Sequence, residues 1–319
     1  MKIKILCLLI GLAAAYQSFA QSHKNEVGIQ SDNDSYLAQG SDRYYTDGIF
    51  VYFRHALKIN DKDTARLKNK ILGFEAGQKI FNPQGGNIPA PEYIDRPFAG
   101  YLYFGTTLNF LYSNESNLKL GAQVGVVGPG AAGQGVQITV HDWFSFYKPT
   151  GWEYQVHDGA ELNLSAEYNR LLTRGSGIDL SFTSHGELGN GFTGAGAGLM
   201  LRAGDFNQLF NSVSTQSTAS RLNSKALLHQ HEFFAYYKPA LNYVAYDATI
   251  QGSLFNDHKD APLQVTSSRQ PIVFSNEIGG AYTANHWVFN FAMIFHTKDT
   301  KQMVKAHQWG SITALYRFN

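Results

Sequence analysis

The chain reads as an all-β protein, a transmembrane antiparallel β-barrel, on three observations. Apolar and polar residues alternate with period two along most of its length. Glycine and aromatic residues are abundant while charge is sparse. Beyond an apolar leader, no segment is long and apolar enough to cross a bilayer as a helix.

The composition sets the class. Of 319 residues only 16% are charged, 14% are aromatic, and there are 31 Gly, 22 Phe and 18 Tyr. An average soluble protein has roughly 25% charged residues. This mixture suits short strands and tight turns and disfavours disorder or a coiled coil. The formal net charge is +1, so no global field points to nucleic acid or another polyanion.

The leader comes first. Lys2 and Lys4 precede an apolar run over residues 5–15, and Ser18 and Ala20 place small residues at the −3 and −1 positions of a cleavage site. The expected organisation is a signal peptide over 1–20 and an outer-membrane barrel over 21–319. The apolar run falls short of the roughly 20 residues of a spanning helix. The sole cysteine, Cys7, lies in that leader, so disulfides would not stabilise the mature chain.

The alternation predicts strands. In Trp287 to His296 the odd positions are large and apolar, and the even ones include Asn290, Ala292 and His296. Leu162, Leu164, Ala166 and Tyr168 alternate with Glu161, Asn163, Ser165 and Glu167, and stretches 178–185, 241–250 and 311–318 behave alike. A strand sends such sets to opposite faces. A soluble β-sandwich would also alternate, but with uniformly short polar turns. Here residues 60–70, 204–225 and 257–270 are long and polar, as loops outside a bilayer would be. Tyr44, Tyr45, residues 101–104, Tyr236, Tyr237 and Tyr316 are placed as interfacial aromatic girdles.

Several motifs have simple readings. The G-x-G-x-x-G matches at 128–133 and 189–194 lack a βαβ context and read as turn or bulge glycines. His229 and His231 have no third ligand beside them and read as a wall or loop pair. Asp61, Lys62 and Asp63 read as a solvated loop.

Three segments carry more chemistry. Asp32-Asn33-Asp34-Ser35, with the stretch from Asp42 to Gly48, gathers hard-oxygen side chains able to ligate calcium, although an Asx-turn between strands would use the same residues. Asp95-Arg96-Pro97 places an ion-pairing couple at a strand entrance. After Gly128-Pro129, Gln134, Gln137 and His141 share a face if the stretch is helical; Gln137, Thr139 and His141 share one if it is a strand.

Together these segments resemble the outer-membrane lipid A 3′-O-deacylases. The resemblance rests on Asn33-Asp34, Tyr45-Thr46-Asp47-Gly48, Asp95 to Gly100, and Gly125 to His141 with Gly151, Trp152 and Gln155 following, all in family order within the N-terminal half. It implies a barrel of about 12 strands in the outer membrane of a Gram-negative bacterium, with the site between the barrel wall and a short helix. It further implies Ca²⁺-dependent hydrolysis of the ester-linked 3′-acyl (acyloxyacyl) chain of lipid A, the lipid anchor of lipopolysaccharide. His141 would be the general base, Asp34 would hold the cation, and Asn33 and Thr46 would complete the catalytic set. Asp95, Arg96, Gln134 and Gln137 would support substrate or structure.

Two departures stand out. Some members carry a Lys-Arg pair where this chain has residues 82–89 without a basic side chain, leaving Lys79 and Arg96 to compensate. An acidic residue about two turns after the histidine gives way to aromatic sequence at 143–147. The alternatives are a passive porin or structural barrel, with Glu161, Asn163 and Glu167 lining a channel, and an outer-membrane phospholipase with a Ser-His-Asn set, for which no serine motif fits. Oligomeric state leaves no pattern in the sequence.

Overall fold

A computed structural model describes residues 22–37, 42–60, 65–222, 227–255 and 263–319. The expected signal peptide and the Asp61–Asp63 loop lie outside the described residues. Twelve strands form one closed antiparallel barrel: β1 (Asn25–Asn33), β2 (Tyr45–Ala56), β3 (Leu67–Phe81), β4 (Ala99–Tyr112), β5 (Ser116–Val127), β6 (Gly159–Arg174), β7 (Ile178–Gly189), β8 (Phe192–Asp205), β9 (Glu232–Asp247), β10 (Ile272–Ala284), β11 (Trp287–His296) and β12 (His307–Phe318). Each pairs with its sequence neighbour, and β1 closes the ring on β12 with Asn25 opposite Phe318 and Asn33 opposite Gly310. Closure leaves no edge strand to satisfy in lipid. No described helix is long and apolar enough to cross a membrane.

Period two becomes two faces. Ile29, Leu162 and Phe291 stand outward, each more than half exposed, while Glu26, Asn163 and Asn290 face the lumen or its walls. Lipid-facing apolar rows and a polar interior are the arrangement a membrane barrel needs.

The loops distinguish the two ends. At the end where β1 finishes, long connections follow β1, β3, β5, β9 and β11; at the other, the turns after β4, β6 and β10 are short. Long loops mark the extracellular end of such barrels. The connection after β5 carries helix α1 (Gly133–Phe144), which settles the helical spacing for Gln137 and His141. Residues 248–250, read as strand, form the helical turn α2 (Ala248–Gln251), capped by the Asp247 side chain accepting from Thr249 N at 2.8 Å.

Two expectations are corrected. Tyr44 and Tyr45 are buried, and Tyr101, Tyr103 and Tyr236 point into the barrel, where Asp95, Asp32, Glu75 and Glu277 accept from Tyr44, Tyr45, Tyr103 and Tyr236 in turn. Only the outward set, including Tyr237 and Tyr316, is placed as a girdle would be. Proximity to a strand end does not decide the face; register does.

The 204–225 stretch is likewise no free loop. Gly204 and Asp205 end β8, and the described residues after them fold into the barrel mouth opposite the long loops. There Asn69 Nδ2 donates to Ala219 O at 2.9 Å, Asn109 Nδ2 to Thr215 O at 2.9 Å, and Arg202 Nη1 to Ser212 Oγ at 2.9 Å. Arg202 is fully buried and pairs with Asp179 through two bonds of 3.0 and 2.6 Å. The segment's serines and threonines satisfy wall groups that would otherwise be buried unpaired.

Candidate active site

The site lies on the outside of the barrel, at its long-loop end. Along β1 the even residues Gln30 and Asp32 point inward, where Asp32 accepts from Tyr45 Oη at 2.9 Å and Ser311 Oγ at 2.7 Å. Asn33 therefore points outward. In β2 Asp47 stands in phase with the outward Ile49 and Val51, on the same face as Asn33, its pairing partner, while a bulge between Tyr45 and Asp47 leaves Thr46 unpaired in the β2–β3 ladder and turns Tyr45 inward. The Asn33 amide donates to Asp47 Oδ1, and its carbonyl oxygen accepts from Ser35 N at 2.7 Å.

Helix α1 packs on this wall. Gly100 makes the close approach possible: a Cβ there would stand 3.1 Å from both Ala131 Cβ and Gly133 N. Outward Gln78 of β3 donates to Ala131 O at 2.6 Å. Gln137 and His141, one turn apart, are buried on the helix face toward the wall. Trp152, fully buried, donates from Nε1 to Gln137 Oε1 at 2.7 Å and fixes that amide so that its Nε2 donates to Asp42 Oδ2 at 3.1 Å.

Asp42 is the hub. Its Oδ2 also lies 2.9 Å from His141 Nε2 and accepts from Tyr147 Oη, while its Oδ1 accepts from Thr46 Oγ1 at 3.3 Å. On the other side of the ring, His141 Nδ1 is 2.6 Å from Tyr147 O. A carbonyl oxygen only accepts, so Nδ1 carries the hydrogen and Nε2 is the nitrogen available as a base. Burial, followed by the bond to Asp42, drives the Tyr147 phenol pKa far up, so it remains a donor.

Three carboxylates converge here. Asp34 is buried and its Oδ2 accepts from Arg43 N at 2.8 Å. Burial raises its pKa to about 8; the Asp42 and Asp47 charges add to the rise, against the hydrogen bonds from Arg43 N and Thr46. Among the described residues no lysine or arginine side chain pairs with Asp34, Asp42 or Asp47. Clustered carboxylates without a cationic partner, with the Asn33 and Thr46 oxygens beside them, make a hard-oxygen donor set that fits Ca²⁺.

Of the residues singled out in the sequence, Asn33, Asp34, Thr46, Gln137 and His141 come together. Gln134, in the first turn of α1, is exposed and makes no hydrogen bond into the site among the described residues. Asp95 and Arg96 lie away from it and act as support. Asp95 accepts from Tyr44 Oη at 2.7 Å, Gln84 N at 2.9 Å and Val304 N at 3.1 Å, and so knots three loops. Arg96 is buried over the Phe81 ring at 4.0 Å and donates to Thr249 Oγ1 at 2.9 Å. Lys79 and Arg96 both line a lumen cavity, so neither compensates on the outer face for a missing basic pair.

The family profile described as "Outer membrane protein LpxR" matches residues 5–318. The chain belongs to the LpxR family. Among solved structures it is similar to LpxR from Salmonella typhimurium, with 21% identity over 92% of this chain and 100% of that one and a TM-score of 0.72. It also matches the β domain of the Bordetella autotransporter BrkA (11% identity, 93% and 99% coverage, TM-score 0.46) and the KdgM porin in complex with oligogalacturonate (5%, 92% and 99%, 0.40). No curated protein sequence matches. As an LpxR-family barrel the chain is placed in the outer membrane of a Gram-negative cell.

Set against the roles read from the sequence, Asp42, Asp47, Tyr147 and Trp152 are the additions; Asp47 and Trp152 stand in the family motifs without a role assigned there. Asp42 and Asp47 stand in the oxygen-rich stretch, but nothing in their spacing separates them from Asp32, which turns the other way. Tyr147, within the aromatic stretch that replaces an acidic residue, meets the histidine through its backbone carbonyl and the hub aspartate through its hydroxyl.

Proposed function

We propose that the protein is a Ca²⁺-dependent lipid A 3′-O-deacylase, hydrolysing the ester of the 3′-acyl (acyloxyacyl) chain in the outer leaflet. The observation that carries this is the placement of His141 Nε2 beside the Asp34, Asp42 and Asp47 carboxylates on the outer wall, above the apolar rows of β1 and β2. A substrate with its acyl chains in the bilayer and its sugar at the surface would meet that position from the side. Trp143, 77% exposed, with the exposed Phe144 and Phe146, continues the apolar surface at the end of α1, as membrane-interface aromatics do.

Asp34, Asp42 and Asp47, with Asn33 and Thr46, would hold the cation. Bound there, Ca²⁺ supplies Lewis-acid polarisation of the ester carbonyl and counter-charge for the oxyanion. His141 Nε2 accepts a proton from water as the water oxygen attacks the carbonyl carbon. Asp42, 2.9 Å away, stabilises the imidazolium so formed, and Tyr147 O holds the ring through Nδ1–H. The imidazolium then returns the proton to the departing sugar oxygen as the C–O bond breaks, giving a free fatty acid and a sugar hydroxyl. No serine nucleophile is used, and no serine hydroxyl hydrogen-bonds the His141 ring among the described residues, which argues against the phospholipase reading.

The passive-channel reading is opposed by the lumen. The 206–221 segment folds into one mouth, while Lys119 with Glu167 at 2.6 Å and Lys238 with Glu277 at 3.2 Å pair between neighbouring strands along the wall. Incubating the detergent-solubilised protein with lipid A, with Ca²⁺ or with chelator, tests the proposal by mass spectrometry. Loss of the 3′ chain only with Ca²⁺ is the expected result; intact lipid A under both conditions would overturn it.

A further inference from the structure

A second cluster lies inside the barrel, on the other side of the wall from the active site. We infer that His296, Asp299 and His307 form a binding site for a divalent transition metal of the Zn²⁺ class, facing the lumen at the extracellular end.

His296 ends β11, His307 begins β12, and Asp299 sits in the loop between them. One ligand atom from each lies within 4.8 Å of the other two. Asp299 Oδ2 is 3.0 Å from His307 Nε2, and Asp299 Oδ1 is 3.7 Å from His296 Nδ1. The rings stand nearly perpendicular, with centroids 5.4 Å apart. Ligand atoms about 2.0–2.1 Å from a tetrahedral ion stand roughly 3.3 Å apart. The set is therefore near ligating distance, and partly exposed His296 can rotate to close it.

Two further features point to a cation. His307 is buried; its Nδ1 has no hydrogen-bond partner among the described residues, and its Nε2 meets only the Asp299 carboxylate, at 3.0 Å and off the angle of a good hydrogen bond. An imidazole lone pair facing a carboxylate oxygen is stabilised by a metal ion between them. The cluster also opens on a cavity of about 440 Å³, lined by the carboxylates of Asp32, Glu75, Asp247 and Asp299 against only Lys79 and Arg96 as cationic side chains. That excess of negative charge favours a bound cation, and the cavity leaves room for water as a fourth ligand.

Two imidazoles and a carboxylate suit Zn²⁺ or a similar ion rather than calcium, which takes oxygen ligands. The ion would clamp both ends of the β11–β12 loop. That loop in turn holds Asp95, through Thr300 Oγ1 donating to Asp95 O at 2.8 Å and Val304 N donating to Asp95 Oδ2.

The test is Co²⁺ titration of the purified full-length barrel in detergent with excess Ca²⁺ present, followed by displacement with Zn²⁺. Folding of every variant is checked by heat-dependent migration on SDS gels. One equivalent with the visible bands of four-coordinate Co²⁺ is expected, released by Zn²⁺, retained in Asp34→Asn and lost in His296→Gln and in Asp299→Asn. His307→Gln, the most buried change, is a third arm. Absence of a bound equivalent in the folded wild type, or equal Co²⁺ retention in folded His296→Gln and Asp299→Asn, overturns the assignment.

Discussion

His141 Nε2 and Asp42 Oδ2 lie 2.9 Å apart, although the two residues come from a helix after β5 and a loop before β2. The contact brings a base and the carboxylate that stabilises its protonated form into one position, and Asp42 also anchors Gln137, Tyr147 and Thr46. Asp42→Asn keeps the shape of the side chain but removes its charge. A charge-assisted hydrogen bond contributes about 1.5–3 kcal/mol, so deacylation should slow by roughly 10- to 100-fold. The rate measured at saturating Ca²⁺ checks this; an unchanged rate would remove Asp42 from the mechanism.

Gly100 sets the distance between helix α1 and the wall. Gly100→Val places carbon atoms against Ala131 and Gly133 and should push α1 outward, moving His141 away from Asn33 and Asp34. Deacylation should fall by 10²-fold or more, on the order expected for about 1 Å of misplacement, while the barrel still folds. Activity assays beside heat-dependent gel migration separate the two effects.

The period-two faces were legible from alternation, which is a local signal, while the strand number and the convergence of Asn33, Asp34, Thr46 and His141 came only through the ordered motifs that carry the family resemblance. What was hidden depends on register and on tertiary contact. Asp47 faces outward in phase with Ile49 and Val51 while Asp32, as acidic and as close in sequence, points inward, and a single-residue bulge at Thr46 turns Tyr45 inward against that phase. Tyr101 and Tyr103 look like girdle residues until the pairing of β4 turns them to the lumen. The segment after β8 is polar for the same reason that a solvated loop is, yet its hydroxyls bond to barrel walls. Gln134 shares the nominal helix face of His141, but the stripe of α1 that the wall buries runs through Gly133, Gln137 and His141, and Gln134 stands beside it in solvent.

The folded-in segment predicts a closed barrel. Wild-type protein should be electrically silent in planar bilayers. Arg202→Ala leaves buried Asp179 with Arg174 alone and removes the guanidinium that ties Ser212 and Ser214 to the wall. Breaking a buried pair costs about 3–5 kcal/mol, so the variant should unfold at lower denaturant and show intermittent conductance. Steady channels in the wild type would contradict the placement of residues 206–221.

His23 gives a pH dependence. It stands ahead of β1, with its ring 4.4 Å from that of His286. Burial first, then Arg317 and His286, lower its pKa from 6.5 to about 4. The unfolded chain therefore binds the proton at higher pH than the folded one. Stability from this group is present above pH 6.5 and declines as pH falls from there towards about 4. Urea midpoints across that window should drop in the wild type and drop less steeply in His23→Gln; parallel slopes would exclude the effect.

The most direct test of the central claim is the mass of lipid A after incubation with wild-type and His141→Ala protein in Ca²⁺. Removal of the general base should lower the rate of 3′-acyl release by about 10²- to 10⁴-fold in a barrel that still folds. Equal release of the 3′ chain by the variant and the wild type would contradict the account.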